Sequence, residues 1–530
     1  MTKEISPFKK NIAQDKEEEL KYISLLISQG KFKEALERIE NCEKRYPGDK
    51  AIHINKLGFL VDIGFGLHDQ EIVQQGLHIG ERFLSSSKNI KYESIIHYNL
   101  ANGYFSLFGL SERGTGIDTY PRSTNLQKAK CHFREALRLC DYHDPNINKQ
   151  NWVNYGNCLD SLGRGVEAFY AYDEALKLDK KFSMAIGNKA KALRFFADIS
   201  GAYRGAIYLE AYQAIKSIIN NQDLISIGGV RAKQAFEEEL QIIESRFKDK
   251  EDLKRILTHR NYDSAGLSEF EKYYLEYCLQ EKLFLNFHVH EDNCEASIVD
   301  PIFIHLITKI EDNDTFYQLA KHINQIKEDY AIARLLLVQS QYKRQDFDSI
   351  SKRTSFANTM DYSQFNLYNG LLKSAFKEAY NILDKIAVFI NDYYKLGIVE
   401  EKIYFTSIWY CNYCKKMSDD ILHSKNISLY ALYDIYQDFK SGYYKKIKDI
   451  RNSLVHRRLV IFDSMPTHQN KKDDKHNVGY NEMLRETNNL LRLTKSAIIY
   501  LINFVNIEEN KKRTGGTIAP IFVDTSQFLS

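Results

Sequence analysis

At 530 residues the chain is too long for one ordinary domain, since roughly 100–200 residues per domain implies about three units or a repeat array. Its composition, 44% hydrophobic and 27% charged, excludes a disordered chain, and 7 Pro with 26 Gly leave too few turn formers for a many-stranded sandwich or propeller, so an all-α fold is expected. A formal net charge of +3 is nearly neutral and by itself announces no nucleic-acid partner.

In chain order, MTKEISPFKKNIAQDKEEEL has no apolar run after its charges, so no export leader is expected and residues 1–15 read as a flexible tail. The eight cysteines are scattered from Cys42 to Cys414, which fits reduced thiols and a cytoplasmic location better than a disulfide framework.

Three segments then share a small residue, a large apolar one four later and a small one three later: Ala35, Ile39, Cys42; Ala129, Phe133, Ala136; Ala168, Tyr172, Ala175. That spacing puts each triplet on one helical face. Before the last triplet stand Trp152, Tyr155, Gly156 and Leu159, then LGR at a turn. Residues 149–182 therefore resemble a tetratricopeptide repeat, a helix-turn-helix unit whose small residues let paired helices approach. The resemblance implies a right-handed solenoid of helix pairs over 16–220, with a concave face for a protein or peptide ligand. Unit 16–49 lacks the Trp and Gly, and a Gly/Ser/Thr-rich insertion lies between Tyr104 and Ala129.

Residues 221–310 read as a helical connector closed by the polar stretch NFHVHEDNCEASIVDP, and 311–530 as a second helical domain. THQNKKDDKHNVG (467–479) reads as a solvated loop. The longest near-apolar run, Ser496–Ile507, is shorter than the roughly 20 residues of a membrane span and reads as a buried helix segment, so no membrane partner is expected.

The chemistry concentrates in KDIRNSLVHRR, residues 448–458. Arg138 and His143 repeat the Arg-to-His spacing, but of the two arginines only Arg451 is followed by Asn, Asp or His. At 100° per residue Ile447, Ile450 and Leu454 form a core stripe, while Asn452 and His456 stack on nearly the opposite face. Arg451 falls between the two faces, and spacing alone does not say which way its side chain turns.

An R-N-x-x-x-H motif late in an all-helical domain resembles the HEPN superfamily. HINQIKEDYAIARLLL, AYNILDKIAVFINDYY, FTSIWY and ALYDIY extend the resemblance to about 283–510, in the branch that joins tetratricopeptide-like repeats to a HEPN domain. The resemblance implies a helical bundle that forms a homodimer, a metal-independent ribonuclease site and, in many members, a toxin or anti-phage defence role. Other members only bind RNA or nucleotides.

The residues suit that reading. RNA carries its own nucleophile, the 2′-hydroxyl, so cleavage without metal needs a base, an acid and a cation at the phosphate. His456 fits base or acid near neutral pH, Arg451 fits the phosphate, and Asn452 fits orientation of either. Over 440–458 seven cations stand against Asp449 alone, which marks Lys445, Lys446, Lys448, Arg457 and Arg458 as RNA contacts, with Tyr443 and Tyr444 among them for stacking. His288, His290, Glu291, Asp292 and Cys294 match no structural zinc spacing, and Cys411 with Cys414 lacks a second pair, so no metal is expected. No phosphate-binding loop, dinucleotide fingerprint or serine triad is present, and no cofactor is expected. The competing reading is a helical-repeat adaptor that binds protein and RNA without catalysis.

Overall fold

The structure, a computed structural model, describes residues 7–86, 92–113, 116–140, 145–199, 204–247, 265–287, 295–307, 313–343, 345–357, 359–410, 419–463 and 476–512. The chain divides into two compact units, 1–197 with 205–258 and 198–204 with 259–530. The boundary at 258/259 splits the stretch expected to be a connector, because its later part packs into the C-terminal core. Helix α1, Pro7–Ser28, also begins well inside the expected tail.

The N-terminal unit is built from α1, α2 (Phe32–Arg45), α3 (Lys50–Leu67), α4 (Gln70–Ser86), α5 (Glu93–Ser111), α6 (Thr124–Leu139), α7 (Pro145–Ser161), α8 (Gly165–Leu178), α9 (Ser183–Ala197), α10 (Arg204–Ile218) and α11 (Gln222–Glu244). Sequence neighbours from α1 to α9 pack on each other. Caps fix their starts: Asp49 accepts from Ala51 N and Ile52 N at 3.0 and 3.2 Å, and Ser123 accepts from Leu126 N at 3.0 Å. All nine residues of the three small-large-small triplets are buried, as that spacing predicts. The pair α3–α4 was not singled out by sequence, because its close approaches rest on Gly64 and Gly76 rather than on alanines.

Gly156 permits the closest approach in the best repeat. A Cβ placed there falls 2.4 Å from Tyr172 Cε1, and Tyr172 is buried with its hydroxyl donating to Asn157 Oδ1 at 3.0 Å. Gly156→Ala is therefore expected to destabilise the N-terminal unit by about 1–3 kcal/mol, read as a lower denaturation midpoint.

The C-terminal unit packs α12 (Glu269–Gln280), α13 (Asn313–Gln339), α14 (Gln345–Ser351), α15 (Leu367–Tyr394), α16 (Asp419–Leu422), α17 (Ile427–Ser441), α18 (Lys445–His456) and α19 (Tyr480–Lys511). α15 and α19 form its centre, with α13 and α17 beside them. α19 is long and apolar enough to cross a membrane, but 89% of its apolar window is buried in this unit, and Ser496–Phe504 is buried throughout, as expected for a core helix.

The unit also holds a small sheet that sequence did not reveal. β1 (Ser363–Gln364) pairs antiparallel with β2 (Val460–Phe462), Ser363 opposite Phe462 and Gln364 opposite Ile461. β2 pairs parallel with β3 (Asn477–Gly479), so residues 477–479 are strand rather than solvated loop. Strands this short lack the alternation that marks a strand in sequence.

Candidate functional site

The expected motif helix, α18, is set by the turn before it. Asn426 caps α17 by accepting from Ser428 N and Leu429 N, and its amide donates to Phe504 O at 2.9 Å, which ties α17 to α19. At the other end Gly442 (φ 88°) takes the left-handed conformation that only glycine adopts freely, and α18 starts three residues later. α18 packs on α15 and α19.

Its buried residues are Ile447, Ile450 and Ser453. Leu454, expected in the core stripe, is only half-buried. Ser453 turns inward instead and its Oγ lies 2.9 Å from His476 Nδ1. Asn452 and His456 are exposed, as the helical geometry predicts.

Arg451 is where the structure decides. Its side chain turns to the polar face, and Nη1 donates to Asn452 Oδ1 and to His456 Nε2, each at 3.3 Å. The second bond requires an unprotonated Nε2, with the imidazole hydrogen on Nδ1. The guanidinium carbon stands 5.3 Å from the centre of the Tyr380 ring on α15, within cation–π range. Asp384 follows one turn later. Burial, partly offset by the Phe405 amide and the Arg451 charge, raises its carboxyl above the usual range. Burial, with the Asp384 charge behind it, pushes the Tyr380 phenol up to about 12. Arg451 Nε is buried and has no hydrogen-bond partner among the described residues.

The three motif residues thus form one connected group that presents an imidazole and a guanidinium edge to solvent. Residues 310–508 match the LA2681-like HEPN family. The C-terminal domain is a HEPN domain. No curated protein and no solved structure gives a significant match to the chain.

Around the motif of the HEPN domain the expected cations divide. Lys445, Lys448, Arg457 and Arg458 are exposed, whereas Lys446 is half-buried and its Nζ sits 3.2 Å from Glu482. That ion pair removes Lys446 from the set of free cations. Tyr443 is exposed with its ring centre 4.9 Å from that of Tyr444, and Tyr444 packs on Phe439 with ring centres 5.0 Å apart.

Sequence reasoning missed Tyr380 and Asp384, which are far from the motif in the chain, and His476, read as part of a loop. Their only signal was that AYNILDK lies in a segment already carrying the family resemblance. In the N-terminal unit a line of amides crosses α5, α7 and α9: Asn154 donates to Asn102 Oδ1 at 3.0 Å and Asn188 donates to Asn157 Oδ1 at 2.9 Å.

Among the described residues no three His, Cys, Asp or Glu side chains converge as a metal site. The HVHEDNC cluster, Cys411 with Cys414, and His143 lie outside the described residues. Among the described cysteines, Cys42 and Cys278 are buried free thiols.

Proposed function

We propose that the protein is a metal-independent endoribonuclease in which Arg451, Asn452 and His456 cut RNA. The observation that carries this reading is the contact of Arg451 Nη1 with His456 Nε2 on a solvent-facing helix end. An RNA phosphate between the two groups takes Arg451 from the imidazole and frees the Nε2 lone pair. His456 then removes the 2′-hydroxyl proton, the 2′-oxygen bonds to phosphorus, and the bond from phosphorus to the 5′-oxygen breaks. The leaving oxygen takes a proton from a second imidazole, supplied by His456 of the other subunit of a two-fold homodimer. Arg451 stabilises the charge that grows on the phosphate oxygens. Asn452 holds Arg451. Lys445, Lys448, Arg457 and Arg458 hold flanking phosphates.

The N-terminal helix pairs serve as a sensor that binds a protein or peptide along the amide line, and the whole acts in the cytoplasm as a toxin or defence effector. The test is incubation of the full-length protein with total RNA in EDTA. New fragments ending in 2′,3′-cyclic phosphate and 5′-hydroxyl are expected. Cleavage that needs Mg²⁺ overturns the metal-free mechanism, and RNA left intact with or without Mg²⁺ leaves a non-catalytic adaptor.

A further inference from the structure

The sheet brings a distant aromatic segment to the motif. Ser363 and Gln364 pair with Phe462 and Ile461, so one step further along the same register Phe365 falls beside Val460. Val460 is two residues after Arg458 and four after His456. Neighbouring strands lie roughly 4.8 Å apart, so this segment sits next to the C-terminal end of α18.

The segment displays apolar side chains in an unusual way. Tyr362 is 77% exposed and Met360 90% exposed, and both hold left-handed backbone, with φ 64° and 53°. That conformation is unfavourable for a non-glycine residue and persists only where the surroundings impose it. Here the turn is pinned through Asp361, whose Oδ1 accepts from Thr359 Oγ1 at 2.6 Å and from Ser363 N at 3.1 Å. Beside it the Phe356 and Phe365 rings stack, centres 6.3 Å apart and 25° from parallel, and each is more than 40% exposed. Exposed charges of both signs lie near it, with Asp361 in the turn and Asp463 one residue past Phe462. Lys352, Arg353, Arg457 and Arg458 are exposed, and none of the four forms an ion pair with another described residue.

We propose that Tyr362 and the Phe356–Phe365 ring pair are the base-stacking surface of this RNA site, receiving unpaired bases of a strand whose phosphates Arg457 and Arg458 hold. The assignment rests on the reading that the motif acts on RNA, and it names the substrate class as unpaired RNA. Exposed rings with exposed arginines at one end match single-stranded nucleic acid, where stacking needs bases not already paired.

The experiment uses full-length His456→Ala protein, which holds RNA without cutting it. Fluorescence anisotropy follows a labelled single-stranded oligonucleotide and the duplex of the same sequence. Tyr362→Ala should weaken single-strand binding about tenfold, within the range expected for one stacked base, and leave duplex binding unchanged. Tyr362→Trp should keep the affinity. Tyr362→Gly, which relieves the left-handed strain, should lose affinity while holding the melting temperature.

Unchanged single-strand affinity in Tyr362→Ala overturns the proposal. So does conversion of a dimer to a monomer by the same change in sedimentation, since the face then belongs to a second copy. Loss of binding in a protein whose wild type cuts no RNA keeps the stacking surface and removes the nuclease. Cutting by wild type with full affinity in Tyr362→Ala does the reverse.

Discussion

His456→Ala is expected to reduce RNA cleavage by roughly 10²–10⁴-fold, the usual contribution of a positioned acid or base. The side chain is exposed and ends α18, so its removal leaves the buried face of Ile447, Ile450 and Ser453 intact. Melting temperature should hold while single-turnover cleavage collapses. Arg451→Lys should also lose most activity despite keeping the charge. Nη1 of Arg451 reaches Asn452 and His456 at once while the planar guanidinium lies near the Tyr380 ring, and a lysine ammonium lacks both the fork and the plane. Full activity in either variant, measured on the same RNA, removes the residue from the site.

Arg334→Met is expected to cost the C-terminal unit roughly 3–5 kcal/mol, because it leaves a carboxylate facing the core without its partner. Arg334 is 5% exposed. It donates to Asp300 through Nη1 and Nη2 at 3.1 and 2.9 Å, to Leu283 O at 3.1 Å and to Tyr274 OH at 2.7 Å, and it lies 4.7 Å from the Phe284 ring centre. The group joins the segment before α13 to the bundle. Calorimetry should show a fall of about 6–20 °C, at 2–4 °C per kcal/mol for a unit of this size. Adding Asp300→Asn removes the stranded charge yet can still accept from Leu285 N, so the double variant should recover much of the loss.

The same pair predicts acid sensitivity. Burial opposes ionisation of Asp300, but the Arg334 charge and hydrogen bonds outweigh it and hold the carboxyl below its usual value. Its stabilisation is then complete above the unfolded carboxylate value, about 3.9, and is lost as pH falls through the lower folded value.

Much of this architecture was legible because helices announce themselves by periodicity. The triplets ending at Cys42, Ala136 and Ala175 are each set by one helical face, and all are buried. The outward direction of Asn452 and His456 followed from 100° per residue. The side chain of Arg451 did not, because its angle lies between two faces and a long flexible stem can go either way. Lys446 looked like its neighbours in sequence, but Glu482 of α19 captures it.

The sequence by itself determined an all-helical chain, a repeat-like first half, and a polar Asn452–His456 pair facing away from its own core, since each depends on residues within a few turns of one another. Only the tertiary structure decided that Arg451 closes on His456 near Tyr380, that His476 meets Ser453, and that β1 carries exposed rings to the end of the motif helix. Those contacts join residues from about 20 to about 100 positions apart, and no local spacing encodes which distant side chains the packing of a core will bring together.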